Sequence, residues 1–382
     1  MSLSMNKVEF QISRKMIDWI ADKEGITVND LADKLVPKKQ DKFLNGIVNK
    51  SIAEKLVKLG KIPFGYLFLQ TPPESKLEQI PDFRQTVGAT PLTKDFYDTF
   101  YDIEYKQSWY KEYLHEVGNT TELDFVGKFK YKDSSYEKVA TDICNRIGFD
   151  ITKELPKLKN DSYFKKLSEL IEKIGILVFK NGIVGTNTHR PLNVQEFRGF
   201  AIADKIAPII FINGNDSFSA QIFTLCHELA HIWVGETGVS NWSYEKDIES
   251  FCNKVAAEIL MPHVEFCKHW NTNEDQSYAD KIENLSNYFK VSKYAIAIKA
   301  LTLNLISNDI LEIIKVNFIT KVKKSSSGGN FYNNIPLRNS NKLTNIIVSY
   351  AITQKLPLRE AGNLLNIKAD TVIDFYKHIR KL

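Results

Sequence analysis

The sequence predicts an α+β fold, with a small sheet and one long buried helix at its centre and mostly helical regions at both ends. Three observations carry this reading. Apolar β-type runs cluster between residues 176 and 212. They lead into an apolar helical pattern over residues 221–234 that contains His227-Glu228-Leu229-Ala230-His231. Towards each end, short amphipathic helical patterns alternate with turn residues.

The elements follow in order along the chain. Ile17, Ile20 and Ala21 recur at helical spacing, Gly25 breaks the run, and Thr27 is a natural N-cap for a helix through Leu31, Ala32 and Leu35. A helix over 52–59 and the segment 62–69 complete a small helix-turn-helix domain, assigned to residues 1–72 and closed by the polar Thr71-Pro72-Pro73-Glu74-Ser75. Residues 91–116 form a helix whose stripe of Phe96, Phe100, Ile103, Tyr110 and Leu114 reads as core. The helix over 163–174 stops at Gly175, and strands follow at 176–179, 197–202 and 209–212, with Asn187-Thr188-His189-Arg190-Pro191 as a turn by composition. A helix over 247–261 ends at Pro262, because the residue before proline disfavours the helical region. Helices continue to 306, so 73–310 is the central domain. After a Lys cluster and Ser/Gly linker at 321–330, a basic helical region completes 311–382. Residues 285–305 and 358–376 each have a helix-turn-helix look, for which plain helical packing is the simpler account.

Composition narrows the class. With 43% hydrophobic, 25% charged and 12% aromatic residues among 382, the chain buries a substantial core and is neither disordered nor fibrous. The net charge of +5 conceals an uneven distribution. Residues 1–70 carry 12 Lys and Arg against 8 Asp and Glu, residues 315–382 carry 12 against 3, and the middle is left at −8. Basic ends suggest DNA as a partner, while a solvated charge bias explains the numbers equally well. The four cysteines have no short paired spacing, which argues against a disulfide scaffold and a cysteine zinc knuckle and favours a reducing compartment. No segment approaches 18 uninterrupted apolar residues and residues 1–8 lack a signal-peptide run, so the expectation is a cytoplasmic protein with no membrane partner.

The chemistry concentrates in His227-Glu228-Leu229-Ala230-His231, a match to H-E-x-x-H. Residues four apart stack on one helix face, so both imidazoles reach one ion, and Glu228 is placed to hold a water beside it without ligating. A surface His-Glu-His cluster is the plain alternative. The apolar flanks Ile222, Phe223, Leu225, Cys226, Leu229, Ile232 and Trp233 oppose it, because buried His and Glu need partners. Catalytic zinc takes three protein ligands, so a third comes from elsewhere. Glu236, Glu245, Asp247, Glu249, Glu258 and His263 are candidates. Glu249 and Glu258 lie nine residues apart and point to opposite sides of their helix. The face of Glu249 continues through Asn253, Ala256 and Leu260, suited to packing on the motif helix. Glu258 shares its side with Asp247, Lys254 and Glu265 and looks more solvated. This favours Glu249.

The strings 224–231 and 249–262 (Glu249-Ser250-Phe251-Cys252-Asn253 through Ile259-Leu260-Met261-Pro262) resemble the two signature stretches of the ImmA/IrrE family of zinc metallopeptidases. The resemblance extends to Ile80-Pro81-Asp82-Phe83-Arg84, to Thr188-His189-Arg190-Pro191 and to Glu196-Phe197-Arg198-Gly199-Phe200, and covers roughly residues 10–300. It implies a zincin-like peptidase domain, Zn2+ as cofactor, and Glu249 as third ligand beside His227 and His231. It also implies an XRE-like helix-turn-helix module at residues 10–69, from which the stretch 36–49 and Phe43 depart, and a DNA-bound repressor or similar regulator as protein substrate.

On that ligand set, Glu228 acts as general base and then general acid for the water that attacks the scissile carbonyl. Ligand imidazoles need an outer acceptor, and Asn253, one turn after Glu249, is expected to serve His227. Tyr244 and His189 are possible oxyanion donors, though a surface role is the simpler account of both. Two functions follow: a zinc endopeptidase, or a DNA-binding, antitoxin-like regulator with a structural or vestigial metal site. The intact Glu228 favours the endopeptidase.

Overall fold

The computed structural model describes residues 9–38, 40–62, 64–73, 92–155, 158, 160–239, 246–272, 276–318 and 331–380. Part of the Pro-rich break, the string 80–84, Tyr244, Glu245 and the linker 321–330 lie outside them. Contacts divide the chain into two compact units, Met1–Gln79 with Asp98–Gly118, and Ile80–Tyr97 with Asn119–Leu382. Among the described residues no helix is long and apolar enough to cross a membrane.

The first unit runs β1 (Glu9–Gln11), α1 (Arg14–Glu24), α2 (Val28–Leu35), α3 (Gln40–Leu44), β2 (Ile47–Asn49), α4 (Lys50–Gly60) and a 3-10 turn, Phe64–Phe68. Thr27 starts α2 through a capping box with Asp30, and Asn49 caps α4 by accepting from the Ile52 amide at 3.0 Å. Met16, Ile17, Ile20, Leu31, Phe43, Leu56 and Leu67 close its core. The stretch 36–49 holds only the five-residue α3 before β2 pairs antiparallel with β1, Phe10 opposite Val48. The bend between them needs Gly46: its φ is +82°, and a Cβ there would lie 2.1 Å from the Ile12 carbonyl oxygen. Helix α5 (Lys94–Glu116) begins in the second unit and continues in the first, with Phe96, Phe100, Ile103, Tyr110 and Leu114 all buried.

In the second unit α6 (Tyr136–Ile147), α7 (Ile151–Glu154) and α8 (Asn160–Lys173) precede β3 (Leu177–Asn181), the hairpin β4 (Ile183–Val184) and β5 (Asn187–Pro191), β6 (Gly199–Ile202) and β7 (Ile209–Asn213). Then come α9 (Phe218–Val234), β8 (Gly238–Val239), α10 (Lys246–Leu260), α11 (His263–Asn271), α12 (Tyr278–Phe289), α13 (Lys293–Thr302) and α14 (Asn308–Phe318). The sheet order is β3-β7-β6-β8, with β3 and β7 parallel and the other pairings antiparallel. All five residues of β7 are buried, as a strand covered on both faces requires. Ile210 and Ile212 join the core beneath α9, while Phe211 stacks on Phe200 beside Phe96 and Phe197. Residues 187–191, expected as a turn, form β5: Gly185 takes the left-handed turn and the flanking residues pair with β4.

The basic C-terminal region folds as α15 (Phe331–Arg338), α16 (Asn341–Ile352), α17 (Leu358–Leu365) and α18 (Ala369–Ile379), with α15 and α16 packed on β3. The buried carboxylate of Glu172, at the end of α8, accepts from the Ser340 hydroxyl and, at 3.1 Å, from the Lys342 amide, and so ties down the start of α16.

Candidate metal centre

Helix α9 presents the motif from inside the fold. Ser217 caps it by accepting from the Ala220 amide, and it ends on Gly235 in the left-handed conformation. Every residue from Thr224 to Val234 is buried, because the sheet lies under one face and α10 and α6 cover others. Leu225, Cys226 and Leu229 share a core with Cys252, Val255, Ala256 and Ile259 of α10. Trp233 stacks on Phe125 at 4.6 Å and donates its indole N–H to Asp142 of α6 at 2.8 Å, which fixes the C-terminal end of α9.

This packing brings Glu249, in the first turn of α10, onto the two imidazoles. His227 Nε2 and His231 Nε2 lie 3.1 Å apart, and each lies 3.1 Å from a different oxygen of Glu249. The three ligand atoms all fall within 4.8 Å of one another, the one such group of three or more His, Cys, Asp or Glu among the described residues. Donors of a tetrahedral zinc site with bonds of about 2.0–2.1 Å stand about 3.3 Å apart, so two ring nitrogens and a carboxylate at these separations fit that ion. His227 Nδ1 meets Asn253 Oδ1 at 3.0 Å, the acceptor expected one turn after Glu249. An amide oxygen can only accept, so Nδ1 carries the proton and Nε2 keeps its lone pair for the centre.

Electrostatics follow burial and partner together. Burial depresses His227, but the hydrogen bond it donates to Glu249 and the charges of Glu228 and Glu249 outweigh it and raise its pKa. Burial wins at His231, whose pKa falls. Burial opposes ionisation of Glu249, yet the two imidazoles hold it down at about 2. Glu228 is wholly buried, and its carboxylate rests on β6 at Gly199, where an added Cβ would stand 3.2 Å from Oε1, 2.8 Å from Thr224 Cγ2 and 2.7 Å from the Phe211 carbonyl oxygen. A side chain at 199 would run first into the Phe211 carbonyl and Thr224, with Glu228 beside them. The signal was a glycine inside an otherwise apolar strand, and its meaning depends on knowing what packs opposite.

Other candidates go elsewhere. His263 opens α11 with its ring 3.9 Å from Cys267 Sγ, and His189 is exposed on β5. Glu236 and Asp247 are not in the cluster. Glu258, expected on a solvated side, is only 12% exposed: Lys299 of α13 donates to its Oε2 at 2.5 Å while Oε1 accepts from the His263 amide. Glu265 is also mostly covered, 15% exposed, and accepts from Tyr288 and His269.

Residues 171–301 match the model of a peptidase family, Peptidase M78, described as the IrrE N-terminal-like domain. The match spans β3 to α13 and both helices of the cluster. It supports the ImmA/IrrE family for this stretch, and with it a metallopeptidase-type domain. A search of curated proteins found no match.

Proposed function

We propose that the chain is a zinc-dependent endopeptidase acting on a regulatory protein in the cytoplasm, the substrate class being a transcriptional repressor or similar regulator. The observation that carries the reading is the convergence of His227, His231 and Glu249 beside the buried Glu228. Two imidazoles and one carboxylate are a zinc set; hard cations such as Mg2+ and Ca2+ prefer oxygen alone. Zinc held by these three residues supplies Lewis-acid polarisation of the scissile carbonyl and makes a water acidic enough to attack near neutral pH.

The chain's own residues do the rest. Glu228 takes the proton of the attacking water as its oxygen bonds to the carbonyl carbon, then delivers a proton to the leaving amine as the C–N bond breaks. Burial keeps this carboxylate out of bulk solvent and strengthens its interaction with charge that develops nearby. Asn253 holds His227 in the tautomer whose Nε2 faces the centre. In this reading residues 1–72 form an XRE-like module, 73–310 the zincin-like peptidase, and 311–382 a basic region, with the two ends bringing the peptidase to its substrate and DNA as a second partner.

Substitution Glu228→Gln tests it. The variant is expected to keep about one zinc per chain, since Glu228 is not a ligand. It should also stop in-cell cleavage of the partner seen with the unaltered protein. Cleavage that persists in Glu228→Gln removes the endopeptidase reading and leaves a regulator with a structural metal site.

A further inference from the structure

Asn213 is the one polar residue of β7, and it is as fully buried as the four apolar residues before it. Taking an amide out of water costs free energy that a leucine of similar size would not, so the groups of this side chain need partners. Its Oδ1 accepts from the Asn215 amide at 3.1 Å, which shapes the turn that leads into α9. Its Nδ2 donates to the Phe197 carbonyl at 3.0 Å, and its backbone N–H donates to the Arg198 carbonyl at 2.8 Å. The turn needs only the first of these bonds. The other two fix consecutive carbonyls immediately before Gly199.

Gly199 is where the backbone of β6 comes up against α9, since a Cβ there would stand 2.8 Å from Thr224 Cγ2 and 3.2 Å from Glu228 Oε1. Thr224 and Glu228 lie one turn apart on the same helix face, so this backbone is a wall along the face that carries the carboxylate. A wall so close limits where Glu228 can sit. Misplacing a reacting group by about 1 Å costs roughly 100-fold in rate. We propose that Asn213 is a positioning residue for Glu228, holding the 197–199 backbone as the wall against which that carboxylate is set. This role rests on the endopeptidase reading of the centre, because Asn213 acts through Glu228 alone.

The test is a double-mutant cycle on the full zinc-loaded chain, with acetohydroxamate as probe and calorimetry as readout. A hydroxamate binds zinc through its two oxygens and shares its proton with a carboxylate beside the metal, so its affinity reports where that carboxylate sits. Glu228→Gln is expected to weaken it about tenfold or more, the loss of one charge-assisted bond. Asn213→Leu should weaken it by a similar factor while bound zinc stays at about one per chain, and should have no further effect once residue 228 is already changed. Asn213→Asp keeps the acceptor for the turn and removes only the donor to Phe197. It should behave as Asn213→Leu does, and it decides the matter where the leucine variant fails to fold. Unaltered affinity in the Asn213 variants, or an equal loss with and without Glu228→Gln, overturns the role of Asn213 and leaves the endopeptidase reading standing. Unaltered affinity in Glu228→Gln, or no binding to the unaltered chain, removes that reading and the role of Asn213 with it.

Discussion

Glu249 and Glu258 stand on the same helix, nine residues apart, and meet opposite kinds of partner. Glu249 faces two imidazoles whose Nε2 atoms converge on its two oxygens. Glu258 faces the ammonium of Lys299, a partner that neutralises it outright. Both carboxylates are largely buried and both need a counterpart. The difference teaches that burial alone does not make a site. What makes one is a set of partners whose donor capacity is left over after they meet.

The sharpest way to break the comparison is at the centre itself. Glu249→Ala should cut bound zinc far below one per chain, read by metal analysis after dialysis, whereas Glu258→Gln should leave zinc content unchanged. Loss of zinc in both variants would show that the two carboxylates are not separable. For Glu228→Gln, peptide cleavage by the zinc-loaded protein should fall by about 10²–10⁴-fold, the usual contribution of a general base.

Stability should respond in the opposite sense. Lys299→Met strands a buried carboxylate and should cost about 3–5 kcal/mol in denaturant unfolding, while the pair Lys299→Met with Glu258→Gln should cost less than the single change. Asn253→Ala is a smaller perturbation of the metal side. Without its acceptor His227 is free to change tautomer, and zinc affinity should drop by about 10–100-fold in competition with a chelator.

The smallest effect concerns Lys23, a buried ammonium on which burial outweighs the nearby charge of Glu104. Its folded pKa is about 8 against 10.5 for the free side chain. Between those values the unfolded chain binds more protons than the native one, so this group makes stability rise with pH across that window. Lys23→Met should remove that component of the slope, measured by denaturation at pH 8 and pH 10.

Much of the fold was legible because local rules and global packing agree. Thr27 with Asp30 announces a helix start, the apolar run 209–212 announces a covered strand, and the i, i+4 imidazoles announce a shared ligand face. The hairpin at 187–191 was not legible. Its polar residues pair through their backbones, and side-chain composition says little about that. The environment of Glu258 was misread for a related reason: a helix pattern shows which residues share a side, but not which element will cover it.

By itself the sequence determined the helix that carries His227, Glu228 and His231, the direction in which its two imidazoles point, and the opposition of Glu249 to Glu258. These are consequences of helical periodicity, a local property of the backbone. Only the tertiary structure decided that Glu249 closes on both ring nitrogens, that Asn253 reaches His227 Nδ1, and that Gly199 lies against Glu228. Each of these joins residues from different elements, and such meetings depend on how side-chain volumes pack across the core rather than on spacing along the chain.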